Sequence, residues 1–192
     1  MKDALFETYT HVLSGAIANI ESTRRDMKPV PLKVAIKNTI GYISQAKRSK
    51  KKVIFVGNGG SSAIASHQAV DYWKNGHIKA TAFNDSALLT CVSNDYGYDK
   101  VFQKPIERFA EKGDVVFAIS SSGQSRNIIN AVRSARQKGV YIITLSGFSG
   151  KNSLRRHGDI NFYVPSRSYG IVEIAHLLIA HSMLDHIIEN RL

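Results

Sequence analysis

The sequence predicts an α/β fold: a three-layer sandwich whose five-stranded parallel sheet is flanked by helices and preceded by N-terminal helices. Three observations lead there. Short β-rich apolar runs begin near residue 53 and alternate with helical periodicity to the end of the chain, as in parallel sheets joined by crossover helices. The 192 residues suffice for one well-buried core. Two amphipathic helical patterns precede the first strand, so residues 1–192 read as one domain with 1–50 as a helical N-terminal extension.

Leu5, Tyr9, Val12, Leu13, Ala16 and Ile20 recur at three- and four-residue steps and mark the first helix. Ile36, Ile40 and Ile43 mark a second after Pro29 and Pro31. Strands follow at Val53–Val56, Ala80–Phe83, Val115–Ile119, Tyr141–Leu145 and Asn161–Val164. Helical segments separate and follow them at Ser61–Trp73, Ser86–Ser93, Val101–Ala110, Asn127–Lys138 and Gly170–Glu189. No internal repeat or low-complexity tract is present.

Composition excludes several classes. With 43% hydrophobic and 21% charged residues the chain is neither disordered nor membrane-spanning in pattern. Cys91 is the single cysteine, so the fold needs no internal disulfide. The start, Met1-Lys2-Asp3-Ala4-Leu5-Phe6-Glu7, lacks a continuous apolar stretch of the signal-peptide kind, and a cytoplasmic location is expected. The net charge of +11 points to an anionic partner. The densest basic run, Lys47-Arg48-Ser49-Lys50-Lys51-Lys52, falls at a helix end before the first strand, where cations complement the helix dipole. Arg155-Arg156-His157 is a smaller cluster of the same kind. Neither carries interleaved aromatics or a nucleic-acid motif, so neither nucleic acid nor membrane is expected as a partner.

Ligands of open α/β sheets gather beyond the carboxyl ends of the strands. Two loops there are rich in small residues: Gly57-Asn58-Gly59-Gly60-Ser61-Ser62 after the first strand and Ser120-Ser121-Ser122-Gly123-Gln124-Ser125 after the third. Glycine admits close backbone approach, serine supplies donors, and the following helix N-terminus favours an anion. Either loop alone reads equally well as a tight turn with a serine cap. Two on successive strand ends favour a phosphate site.

Spacing also groups histidines with carboxylates. His67 and Asp71 lie one turn apart, and Glu173 and His181 lie eight residues apart, about 80° round the last helix. Such nitrogen and oxygen donors suit zinc or another divalent transition metal. A surface His–Asp couple and a hydrogen-bonded core histidine explain the same spacing. His176, about 140° from His181, is expected to face the core or a neighbouring subunit.

Taken together, Val53-Ile54-Phe55-Val56 with Gly57-Asn58-Gly59-Gly60-Ser61, Asn94-Asp95-Tyr96-Gly97-Tyr98, and Gly113-Asp114-Val115-Val116 running into Ile119-Ser120-Ser121-Ser122-Gly123-Gln124-Ser125 resemble the sugar isomerase (SIS) domain family. Within it, the likeness is to the phosphoheptose isomerase branch, over nearly the whole chain. The resemblance implies a homotetramer with active sites between subunits. It implies conversion of sedoheptulose 7-phosphate into glycero-manno-heptose 7-phosphate for lipopolysaccharide or capsule. Substrate would contact Asn58, Gly59, Gly60, Ser61, Asp71, Asn94, Asp95, Ser120, Ser121, Ser122, Ser125 and Glu173. The family's zinc set falls on His67, Asp71, Glu173 and His181, and its acid/base pair on Asp71 and His181.

Two positions depart from the family pattern. Asp71 stands where the family has Glu, one methylene shorter. Glu173 stands where it has Gln, which takes the net charge of a zinc site from about +1 to zero and weakens its Lewis acidity. Two other functions fit the same residues: a non-catalytic phosphosugar-binding or protein-binding regulator, and an isomerase of a different sugar phosphate. A regulator would be expected to have lost His67 or His181, and both are present.

Overall fold

The computed structural model describes residues 4–192, so the reading of Met1, Lys2 and Asp3 lies outside the described residues. The elements run α1 (Ala4–Ala18), β1 (Glu21–Arg24), α2 (Leu32–Arg48), β2 (Lys52–Gly57), α3 (Gly60–Lys74), β3 (Lys79–Ala82), α4 (Ser86–Tyr96), α5 (Gln103–Phe109), β4 (Val115–Ser120), α6 (Arg126–Gln137), β5 (Tyr141–Ser146), β6 (Ile160–Tyr163) and α7 (Tyr169–Glu189). The sheet order is β1-β6-β5-β4-β2-β3. β2 to β6 are parallel, and these are the five expected strands.

The sixth strand corrects the expected count. β1 pairs antiparallel with β6, Glu21 opposite Tyr163 and Arg24 opposite Ile160. Its sequence, Glu-Ser-Thr-Arg, has no apolar alternation, so nothing local marks it as a strand. Tertiary partners hold it instead. Ser22 donates to the Val30 carbonyl at 2.6 Å, and Glu21 pairs at 2.8 Å with Arg155, whose guanidinium lies over the Tyr163 ring.

Every residue of β4 is buried, as is all of β2 beyond Lys52, as expected for central strands covered on both faces. One face packs Phe55, Phe117 and Leu145 against Ile43 of α2, Tyr72 of α3 and Met183 of α7. The other packs Ile54, Val116 and Ile142 against Ile106 of α5 and Ile128 and Val132 of α6. α2 and β1 are thus built into the layered body. α7 is long and apolar enough to cross a membrane by length and composition, but half of that stretch is buried inside the fold.

His176 of α7 is fully buried, and its Nε2 lies 3.1 Å from the Ser146 carbonyl. Burial drives its pKa down to about 4, with the Ser146 bond opposing. A folded-state pKa below the unfolded value means that the unfolded chain takes up the proton first as pH falls. His176 therefore contributes stability that is complete above about pH 6.5 and lost between there and about pH 4. Urea denaturation should show His176→Leu losing about 2 kcal/mol less than the wild type between pH 7 and pH 5. Equal losses in the two proteins would contradict the assignment.

Candidate active site

β2 and β4 are adjacent and parallel, so the loops that leave their carboxyl ends must lie side by side. They line one cavity of about 360 Å³ with Asn58, Gly59, Gly60 and Ser61 on one wall and Ser120, Ser121, Ser122 and Ser125 on the other. The glycines are placed by sterics. Gly59 holds φ at +54°, and a side chain on Gly57 would overlap the backbone of Ser61.

The serines are arranged for an anion. The Ser120 hydroxyl lies 3.2 Å from that of Ser125 and accepts from the Gly123 N–H at 3.1 Å. Ser121 also lines the cavity, is only 5% exposed, and its buried hydroxyl has no partner among the described residues. The N-termini of α3, at Gly60, and α6, after Ser125, both open here, adding two positive dipole ends. Hydroxyls, backbone N–H groups and two helix ends suit a phosphate without any lysine or arginine.

Two residues not anticipated from the sequence hold the first loop in place. The amides of Asn58 and Asn127 bond reciprocally, each donating to the other at 2.9 Å. Tyr98 donates its O–H to Asn58 Oδ1 at 3.0 Å. The available signals were Tyr98 at the end of the Asn94–Tyr98 motif and a polar Asn127 on the buried face of α6. Asn94 and Asp95 bond to each other, Nδ2 to Oδ1 at 2.9 Å, and are not in the cavity lining.

α3 and α7 carry the titratable groups. His67 Nε2 lies 3.3 Å from His181 Nε2 and 3.2 Å from Asp71 Oδ2. Asp71 Oδ2 is also 3.8 Å from His181 Nδ1, and its Oδ1 accepts from the Asn75 amide at 3.3 Å. Two imidazole nitrogens this close need a proton or a cation between them. Ligands about 2.05 Å from a tetrahedral metal are separated by roughly 3.3 Å, so the His67–His181 and His67–Asp71 spacings fit a shared divalent cation.

Glu173 stands apart from this trio. It lines the cavity, with its carboxylate over Gly60 so closely that any side chain at position 60 would overlap it. Eight residues of α7 separate Glu173 from His181 by about 12 Å along the axis. The phosphate cavity and the histidine cluster thus lie about two helical turns apart along α3 and α7. Tyr169, at the start of α7, also lines the cavity and was not anticipated.

The chain is similar to known proteins in both sequence and fold. The family described as SIS domain matches residues 18–147. Phosphoheptose isomerase of Aliarcobacter butzleri is 33% identical over 100% of this chain and 99% of its own. Phosphoheptose isomerase of Sulfurimonas denitrificans is 39% identical over 72% of this chain and 73% of its own. The solved phosphoheptose isomerase of Neisseria gonorrhoeae superposes with a TM-score of 0.83 at 28% identity, covering 97% of this chain and 99% of that one. With the serine-lined cavity and the His67–Asp71–His181 cluster in place, the chain belongs to the SIS-domain family, in its phosphoheptose isomerase branch.

Proposed function

We propose that the protein interconverts sedoheptulose 7-phosphate and D-glycero-D-manno-heptose 7-phosphate. The observation that carries this is the serine-lined cavity at one end of the α3–α7 pair with the His67–Asp71–His181 cluster about 12 Å along it. An extended seven-carbon phosphate, about 10 Å from C1 to phosphorus at ordinary bond lengths, is long enough to reach from one to the other. Ser120, Ser121, Ser122 and Ser125 hold the phosphate with the backbone of Gly59 and Gly60. Asn58, locked by Asn127 and Tyr98, keeps one amide N–H for the substrate.

Asp71 and His181 carry the proton. One removes it from C1 of the ketose as the C2 carbonyl becomes an enediolate oxygen. The other protonates that oxygen, the proton returns to C2, and loss of the O1 proton leaves the C1 aldehyde. His67, Asp71 and His181 would hold zinc, which would supply positive charge for the enediolate oxygens. The remote phosphate anchors the reacting carbons, so much of the acceleration comes from positioning.

Exposed apolar side chains support a homotetramer. Leu5, Phe6 and Val12 of α1, Val70 and Trp73 of α3, and Ile174 and Leu178 of α7 are all exposed in the single chain. A cytoplasmic enzyme supplying heptose for lipopolysaccharide or capsule is consistent with these properties.

Comparing turnover of sedoheptulose 7-phosphate with that of a six-carbon ketose 6-phosphate tests the assignment. The seven-carbon substrate should be preferred at least tenfold in kcat/KM; a preference for the shorter one would overturn the length argument. Tyr98→Phe removes one hydrogen bond, worth about 1 kcal/mol, and should lower kcat/KM roughly fivefold at an unchanged thermal midpoint. Wild-type kinetics in that variant would show that Asn58 needs no support from Tyr98.

A further inference from the structure

The charge of +11 is unevenly used. In the run ahead of β2, Lys47 donates to the Leu192 carbonyl, Lys51 pairs with Glu111, and Lys52 pairs with buried Asp114 at 2.7 Å. Those cations have structural work. A second basic group gathers at the amino ends of β5 and β6, the edge of the sheet opposite the serine cavity. It comprises Arg24 at the end of β1, Arg25 after it, Arg133 and Arg136 in the last turns of α6, and His157 just before β6.

Only Arg136 in this group is anchored, by Asp159 and by the His157 carbonyl at 2.9 Å. The guanidinium groups of Arg24, Arg25 and Arg133 make no hydrogen bond or ion pair among the described residues. Two acids share this surface and are already engaged, Asp26 with Lys28 at 3.3 Å and Asp159 with Arg136 and with the Ile142 N–H at 2.8 Å. Burial first, then the charges of Arg133, Arg25 and Arg136, hold the His157 pKa below its usual value, and Arg133 lies one helical turn before Arg136 on the same side of α6.

Arg24 and Arg136 border a cavity of about 700 Å³, the size of a small-molecule site. Its wall is one face of α2, where Val34, Asn38 and Tyr42 follow at four-residue spacing. Val34 and Tyr42 are both 45% exposed, and the Tyr42 ring is stacked on Tyr141 with centroids 3.6 Å apart. An adjoining depression shares Arg24 and adds Arg25. Unpaired guanidinium forks suit phosphate oxygens and recruit more than one. An open aromatic face beside an amide suits a heterocyclic ring.

We propose that this pocket is a second ligand site, distinct from the catalytic cavity, which takes a nucleoside polyphosphate with its base against Tyr42 and its phosphates on Arg24, Arg25, Arg133 and Arg136. The site lies at the other edge of the sheet, so its occupant does not compete with the sugar phosphate. It accounts for Arg24, Arg25 and Arg133, which neither the fold nor the isomerase site uses.

Calorimetric titration of the full-length protein with ATP, with and without sedoheptulose 7-phosphate, tests the proposal. ATP should bind equally in both conditions and more tightly than inorganic tripolyphosphate. The double variant Arg25→Ser/Arg133→Ser should weaken ATP at least tenfold and Tyr42→Ala at least fivefold, with sugar-phosphate turnover unchanged in both, which also reports intact folding. The proposal is overturned if ATP does not bind, if the sugar phosphate displaces it, if the variants bind it as the wild type does, or if tripolyphosphate binds as well as ATP. Dissociation of a homo-oligomer by the arginine variants would likewise overturn it, because the patch would then be an interface between copies of this chain.

Discussion

His181→Ala is expected to lower turnover of sedoheptulose 7-phosphate at least 1,000-fold, which is about 4 kcal/mol of transition-state stabilisation. The imidazole does two things that no neighbour can replace. Its Nε2 faces His67 Nε2 at 3.3 Å and completes the cluster, and its ring, with Nδ1 3.8 Å from Asp71 Oδ2, carries one of the two proton-transfer roles. The fold does not depend on it. The side chain is 32% exposed, and alanine is the best helix former at an interior position of α7. The variant should therefore keep the wild-type circular dichroism and oligomeric state while losing activity. Activity within tenfold of the wild type would remove His181 from the proton transfers.

Stripping the protein of divalent metal should have an effect nearly as large. His67, Asp71 and His181 offer three donor atoms within 4.8 Å of one another, and their nearest spacings match neighbouring ligands of a tetrahedral cation. Dialysis against a chelator should lower kcat at least 100-fold, and stoichiometric zinc should restore it. The thermal midpoint should fall and recover in parallel, because an ion that binds only the folded chain stabilises it by mass action. Full activity with no metal detected by elemental analysis would leave Asp71 and His181 as an unaided acid/base pair.

The layered body was legible in the sequence because burial writes itself into apolar periodicity. Runs such as Val53–Val56 and Val115–Ile119 are strands buried on both faces, and the serine and glycine turns that follow them become adjacent as soon as β2 and β4 are neighbours. β1 was not legible. Four polar residues acquire a register only by meeting the edge of β6, with Glu21 reaching Arg155 across 134 residues of sequence.

The candidate site divides in the same way. Local spacing brought out His67 with Asp71 and the two phosphate loops. The Asn58–Asn127 pair joins residues 69 apart and the Tyr98–Asn58 bond residues 40 apart, and no periodicity reports such contacts. Eight-residue spacing put Glu173 and His181 on neighbouring faces of α7, but a helix also rises about 12 Å over that interval. That rise carries Glu173 to the phosphate cavity and His181 to the histidine cluster, which makes the site long.

The reaction assigned to this site is isomerisation of a seven-carbon ketose phosphate. Incubating the purified protein with sedoheptulose 7-phosphate, as prepared, after chelation and after zinc addition, and following the sugar by NMR measures it directly. The result expected is an aldose signal from D-glycero-D-manno-heptose 7-phosphate that appears with the protein as prepared, disappears on chelation and returns with zinc. No aldose under any of the three conditions would contradict the account.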